Sequence, residues 1–430
     1  MWKYTYHMVR DLSPGVKRFI ATESLFGVAA GIFSLILNLH LLELGFSKDF
    51  IGQITSIGAL TVGLTSLPAG MIVQRVGRKR MLVIGMLLSV VSLILFGLGT
   101  SKAAIISAQL IWSLGVSAIV NSEIQLIYEY CRSKKEETSA YSLLFAIFTL
   151  FTGIGTMLGG YLPNWLNGGT TVYQYAFFAA AVCFAASALL RAALLPASGP
   201  APAAGSGQTA AGRAAGRAAE PVESRGDRRR NRHAISFLLV LSLLIFNSGF
   251  TFGMLSPFLN VILKFRFDMN DDAISWLLAL SGFFFFVGSL VMPYFKEKLG
   301  SRMSFIVLFA FNIAIVALMA IAMPAASFAV LLLLRGTGFT MLNNLVDSES
   351  MSAVAEEDRN LFAGMRTVSR SIGNTIASYW AGFILAANHY ALPFILTAAA
   401  LLLGFAGYAW LVQGALERRQ LQRTTAVEMN

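Results

Sequence analysis

Three arginines stand in places that are costly for a charge. Arg335 and Arg370 fall near the midpoints of long apolar runs, and Arg366 lies one helical turn from Arg370 on the same face. Ionisable groups at membrane depth are expensive and commonly mark ligand or ion pathways. The nearest carboxylates by sequence depth are Glu123 and Asp347, each nearer the end of its run. Such arginines point to an anionic or carbonyl-rich ligand. The competing reading is structural: each bonds Asn343, Asn344, Glu123 or a helix carbonyl and holds helices together. Further candidates are Asn38, His40 and Glu43 at one run's end, Asn260 in a later run, and Glu123 with Asn121 and Gln125. His40 titrates near neutral pH and is either a proton carrier or a solvated interfacial residue. Glu123 is the better carboxylate candidate for proton coupling.

Other chemistries find no residues. There is no P-loop, catalytic triad or metal-like cluster, so an ATPase, an enzyme and a cofactor are not expected. Cys131 and Cys183 lack metal-ligand spacing and form no disulfide framework. The four phenylalanines Phe283 to Phe286 are read as facing lipid or neighbouring helices.

The elements that must position these residues are membrane helices. Of 430 residues, 56% are hydrophobic and 13% charged, against about 25% charged in a soluble domain. Mean hydropathy is +0.67. Runs of roughly 20 apolar residues match a bilayer core about 30 Å thick. Twelve spans are predicted: 19–43, 50–73, 81–99, 104–127, 140–163 and 173–195, then 234–262, 273–295, 303–323, 326–346, 361–386 and 390–414. The first is read as a retained span rather than a signal peptide, because its run exceeds a signal's apolar region. Residues 196–233 open with Pro, Ala, Gly and Ser and turn basic from Arg225. They read as a disordered cytoplasmic linker between bundles 1–195 and 234–430. The net charge of +11 sits in short segments between apolar runs, which argues topology rather than nucleic-acid binding. Arginine and lysine gather on one side, from Lys3, Arg10, Lys17 and Arg18 through the linker to Arg418, Arg419 and Arg423. Both termini are therefore expected in the cytoplasm, on an inner membrane.

The chain also repeats. Leu37-Asn38 matches Leu259-Asn260, Gly77-Arg78 matches Gly300 with Arg302, Glu136-Glu137 matches Glu356-Glu357, and Gly153 matches Gly373, all at a nearly constant offset of half the chain. A six-plus-six duplication is a known transporter plan, with the solute site where two halves meet.

The stretch Gly70-Met-Ile-Val-Gln74-Arg75-Val-Gly77-Arg78-Lys79-Arg80, placed after the second span, resembles the loop signature of the major facilitator superfamily. The resemblance implies an all-α integral membrane fold of twelve helices in two six-helix bundles, and a loop that latches the halves. Gln74 departs from it, since the family usually carries Asp there. An amide can hydrogen-bond but cannot supply the ionic part of the latch. The plain alternative is a positive anchor. Gly153, Gly155, Gly159 and Gly160 resemble a glycine motif of proton-coupled exporters, with Thr156 where that motif has Pro; the same spacing also serves close helix packing.

The sequence thus predicts a secondary transporter of a small solute by alternating access, with proton-coupled export of drugs or metabolites set against uptake of a sugar or organic anion. The expected partners are the solute, the lipid bilayer and coupling protons, with one chain forming the whole pathway. A non-transporting membrane sensor is the alternative from another class, for which the linker and tail provide no output domain.

Overall fold

The computed structural model describes residues 12–166, 169–196, 225–354 and 359–409. Within them all regular structure is helical: α1 (Pro14–Glu43), α2 (Lys48–Val76), α3 (Arg78–Leu98), α4 (Lys102–Tyr130), α5 (Lys134–Trp165), α6 (Gln174–Leu194), α7 (Arg225–Leu255), α8 (Leu259–Phe267), α9 (Asp271–Ala320), α10 (Ala325–Ala353), α11 (Arg359–Ala386) and α12 (Leu392–Gly407). A lipid-immersed backbone must satisfy its own hydrogen bonds, and a helix does so within one segment.

Eight stretches among the described residues are long and apolar enough to cross a membrane. One is the 50-residue α9, which Gly300 divides into two crossings. With α2, α11 and α12 this is the twelve-helix plan. The second six-helix half departs from the expected boundaries in three places. The seventh span is not one helix: α7 stops at Leu255, a 3-10 turn covers Ser256–Phe258, and α8 carries on. Pro257 lacks an N–H and breaks the ladder there. The helix also begins at Arg225, inside the stretch read as linker. Residues 197–224, where the linker was expected to be disordered, lie outside the described residues, as do Glu356, Glu357 and the basic tail. Finally, the eighth and ninth spans follow one another with no loop between them, parted only by the non-helical Gly300.

Two glycines make the tight turns. Gly77 has φ 93° and ψ 144°, and Gly300 has φ 72° and ψ 165°. These are conformations that only glycine adopts cheaply. Each is followed by the same kind of brace. Arg78 bonds Glu129 at the end of α4 at 3.0 Å, and Ser301 donates to Glu349 near the end of α10 at 2.7 Å. Glu349 also pairs with Lys296 at 2.7 Å.

The chain divides into two compact units. The first takes in the residues up to 207 together with Pro257–Phe286; the second takes in Gln208–Ser256 and the residues from Val287 on. In the first, α1 crosses α5 so closely that a Cβ on Gly31 would overlap the Thr152 carbonyl, and one on Gly155 the Val28 carbonyl. In the second, α7 crosses α11 in the same way: Gly249 meets the Arg370 carbonyl and Gly373 the Phe246 carbonyl. Small residues let membrane helices approach where lipid supplies no hydrophobic drive.

Two helices of the first unit start from serine caps that are tied together. Ser13 accepts from Val16 N at 3.3 Å, with Pro14 in the first turn of α1. Ser133 accepts from Glu136 N at 3.2 Å. The Glu136 carboxylate in turn accepts from Ser13 N at 2.6 Å and Arg132 N at 2.7 Å, which ties the start of α1 to the start of α5.

Candidate functional site

In the second unit, α10 carries Arg335 into the interior at 1% exposure. Its Nη2 donates to Ser256 Oγ over a long 3.4 Å, and its guanidinium lies 5.3 Å from the centre of the Phe339 ring. Its Nε has no hydrogen-bond partner. Among the described residues no carboxylate pairs with it. A buried charge so poorly satisfied is costly. Phe339, one turn along α10, stacks on Phe252 of α7 at 6.2 Å. Phe339 also begins the wall of an internal cavity of ≈ 20 Å³ open to the centre of a water molecule, lined further by Ser248, Thr251, Asn343 and Tyr408. That is room for about one water. Ser248 hydrogen-bonds Asn343 across it. The bonds proposed between Arg335 and Asn343 or Asn344 do not form: Asn344 instead donates to Ser289 Oγ at 3.2 Å.

Arg370 differs from Arg335. It is 2.6 Å from Asp347, and Arg366 is 3.7 Å from the same carboxylate. The expectation that Arg335 and Arg370 both lack an acid is thus corrected for Arg370. Asp347, read as too near the inner end, reaches both from α10 because their side chains extend to it. Of these three arginines, Arg335 alone lacks a carboxylate partner among the described residues.

In the first unit Glu123 meets a partner that the sequence reading did not single out. Arg191 of α6, wholly buried, donates to Glu23 of α1 and, at 3.1 Å, to Glu123 of α4. Its Nε reaches Thr22 Oγ1 at 3.2 Å, and the rings of Phe19 and Phe26 lie 4.6 and 5.5 Å from the guanidinium. Glu23 and Arg191 each sit near the end of an apolar run, where position in the sequence alone does not mark a charge as buried. Their convergence needs three helices. A carboxylate five residues inside the predicted first span was the available signal.

Asn38 and Asn260 come together, as repeat mates, in the first unit. Asn38 Nδ2 reaches Pro257 O at 2.6 Å and Asn260 Oδ1 at 3.1 Å, while Asn260 Nδ2 donates to Leu35 O at 2.9 Å. Their polar groups bridge helices. His40 is not the solvated interfacial group allowed for above: it is fully buried. Its Nε2 faces the Phe96 carbonyl at 3.0 Å and its Nδ1 the Thr171 hydroxyl at 2.7 Å. A carbonyl only accepts, so Nε2 carries the hydrogen and Nδ1 accepts from Thr171. Tyr173, just before α6, hydrogen-bonds Asp271 at the start of α9, which pairs with Lys264 of α8 at 2.9 Å. Burial, and then that bond, push the Tyr173 phenol well above its ordinary value.

The signature loop ties into its own unit. Arg78 bonds Glu129, and Lys79 donates to Leu195 O at 2.7 Å. Gly70 lies within α2, Arg75 is exposed, and the Gln74 side chain lies outside the described ones. Of the glycine motif, Gly155 and Gly160 are tightly enclosed, Gly159 rests on Ile32, and Gly153 has only Ala279 O at an ordinary 3.4 Å. Gly153 is therefore not the contact counterpart of Gly373; the close approach belongs to Gly155.

A family model described as Major Facilitator Superfamily matches residues 20–346 and 241–428. No curated sequence relative matches the chain significantly. Among solved structures, a point mutant of the nucleoside transporter NupG superposes with a TM-score of 0.73 at 15% identity, covering 92% of this chain and 99% of that one. A bacterial homologue of the human lysosomal transporter Spinster, in an inward-facing and unoccupied conformation, superposes with a TM-score of 0.68 at 13% identity, covering 94% and 96%. At these identities the likeness establishes the fold.

Proposed function

The chain belongs to the major facilitator superfamily, and from that premise we propose that it moves a small solute bearing an anionic or carbonyl-rich group across the membrane by alternating access, with both termini on the cytoplasmic side of an inner membrane. The observation that carries the solute class is Arg335. It holds a full positive charge among apolar walls with one long hydrogen bond and an open Nε. A solute carboxylate, phosphate or carbonyl would supply the missing acceptor, and the Phe252–Phe339 pair beside it offers a surface for a planar group. The likeness to a nucleoside transporter makes nucleosides, whose bases carry carbonyls, a natural member of the set to test.

Export gains no support from the glycine motif. Gly155 and Gly160 are accounted for by close packing against Val28 and Ser275. Glu123, the expected proton carrier, is held by Arg191 instead of facing a solute alone.

The test is a thermal-shift screen of purified protein against organic anions, sugars, nucleosides and cationic drugs, followed by flux of the hits in proteoliposomes. Anionic or carbonyl-rich compounds are expected to raise the melting temperature of the wild type and not of Arg335→Gln. Stabilisation by cationic drugs alone would overturn the reading.

A further inference from the structure

Arg366 and Arg370 of α11 share one acid, Asp347 of α10, so two guanidinium groups face a single carboxylate. The sharing is unequal. Arg370 Nη2 donates to Asp347 Oδ1 at 2.6 Å, whereas Arg366 Nη1 stands 3.7 Å from the same oxygen, beyond hydrogen-bond reach. Among the described residues Arg366 makes no hydrogen bond. The hydroxyls near it on α11 are turned to their own helix: Thr367 donates to Ala363 O at 3.2 Å and Thr375 to Ser371 O at 2.7 Å. All three charged side chains are partly open, at 32% for Arg366, 39% for Arg370 and 25% for Asp347. Arg370 lies near the middle of α11, where lipid contact is expensive for a charge, so its open guanidinium faces water. The site is separate from Arg335. The Arg370 backbone packs on Gly249 of α7, and Arg335 bonds Ser256, seven residues further along. At 1.5 Å per residue the two levels are about 10 Å apart. Two positive charges and one negative leave one positive charge over, at a depth where charge is costly.

We propose that Arg366 and Arg370 form an oxyanion-binding site, which takes a carboxylate or phosphate group of a water-soluble molecule. The oxyanion accepts from Arg366, whose planar fork of N–H groups matches two oxygens at once. Its charge then closes the count beside Asp347. Asp347 has two effects: it holds the Arg370 guanidinium in place, and it weakens the positive field that the oxyanion meets. A phospholipid carries its phosphate at the membrane surface, so the depth of Arg370 selects a soluble oxyanion instead. That this group belongs to the transported solute rests on the transport reading above; that the site binds an oxyanion does not.

The test titrates the purified full chain with inorganic phosphate in place of chloride, at constant ionic strength, and reads the melting temperature. Phosphate is expected to stabilise the wild type. Its apparent affinity is expected to fall about tenfold or more in Arg366→Gln, which removes hydrogen bonds to a charged acceptor. In Asp347→Asn it is expected to rise about tenfold, because the competing charge is gone. A carboxylate that only held helices together would give no such gain. Arg366→Gln keeps the Arg370–Asp347 bond and is expected to melt like the wild type without phosphate, so its folding provides the control. Lys102→Gln, which removes an exposed cation at the start of α4, is expected to leave the affinity unchanged. A wild type that phosphate does not stabilise, an unaltered affinity in Arg366→Gln, a weaker one in Asp347→Asn, or stabilisation by phosphatidylglycerol alone would overturn the proposal. If phosphate binds as expected and proteoliposomes carry no solute, the transport reading fails while the oxyanion site stands. If solute is carried and Arg366→Gln binds phosphate like the wild type, the site fails while the transport reading stands.

Discussion

At the scale of the residue, the molecule treats the arginines within its helices in three ways. Arg191 is over-supplied with acid, Arg370 shares one carboxylate with Arg366, and Arg335 has none among the described residues. The three predict different mutational behaviour. An unpaired buried charge destabilises the fold it sits in, so Arg335→Met is expected to raise the melting temperature in the absence of solute, by about 2 °C or more. The same variant should lose the solute-induced shift. A melting temperature that falls while solute binding survives would show that Arg335 is a structural residue. Arg191→Ala removes the partner of two carboxyls and is expected to cost about 3–5 kcal/mol, read as loss of folded protein in detergent.

At the scale of the element, glycine placement decides where helices meet. The overlaps at Gly31 and Gly155, and at Gly249 and Gly373, leave no room for a side chain against a backbone carbonyl. Gly155→Val and Gly373→Val are expected to cost about 1–3 kcal/mol or more, while Gly153→Ala, whose Cβ would make an ordinary 3.4 Å contact with Ala279 O, should be neutral in a thermal melt. Gly300→Ala is expected to cost about 1–3 kcal/mol through backbone strain, although no neighbour crowds it. Glu136 is an element-scale device too. Burial opposes its charge, but the backbone N–H groups of Arg132 and Ser13 outweigh this and lower its pKa. A carboxylate depressed on folding contributes stability that is in place above its unfolded value and is lost as pH falls through the lower folded value. Glu136→Gln should therefore flatten the acid side of a stability-against-pH profile and leave its neutral side with a constant offset. An unchanged acid limb would remove the clamp from the account.

At the scale of the whole chain, the proposed cytoplasmic placement of both termini has a direct consequence. Single cysteines placed at Gly45 and His389, in the turns after α1 and α11, are expected to react with an impermeant reagent from outside intact cells. Cysteines at Arg80 and Arg132 should react only after the membrane is opened. Labelling of all four from one side would refute the topology.

Composition and charge asymmetry determined the class and the twelve-helix plan, because lipid imposes length and apolarity locally on every span, and each can be read from its own run of residues. The repeat was legible for a related reason: Gly77 and Gly300 must be glycine for their own backbone angles. Its deeper members were not legible. Glu129 and Glu349 are ordinary glutamates until the braces from Arg78 and Ser301 are seen. The candidate sites lay further out of reach. Arg335 was found by its depth, but that it lacks an acid while Arg370 has one was decided by which helix faces meet. Glu23 and Arg191 became a site only when α1, α4 and α6 packed together. Burial in lipid is a property of a segment, whereas the pairing of charges depends on side chains far apart in sequence, and only the tertiary structure sets the distance between them.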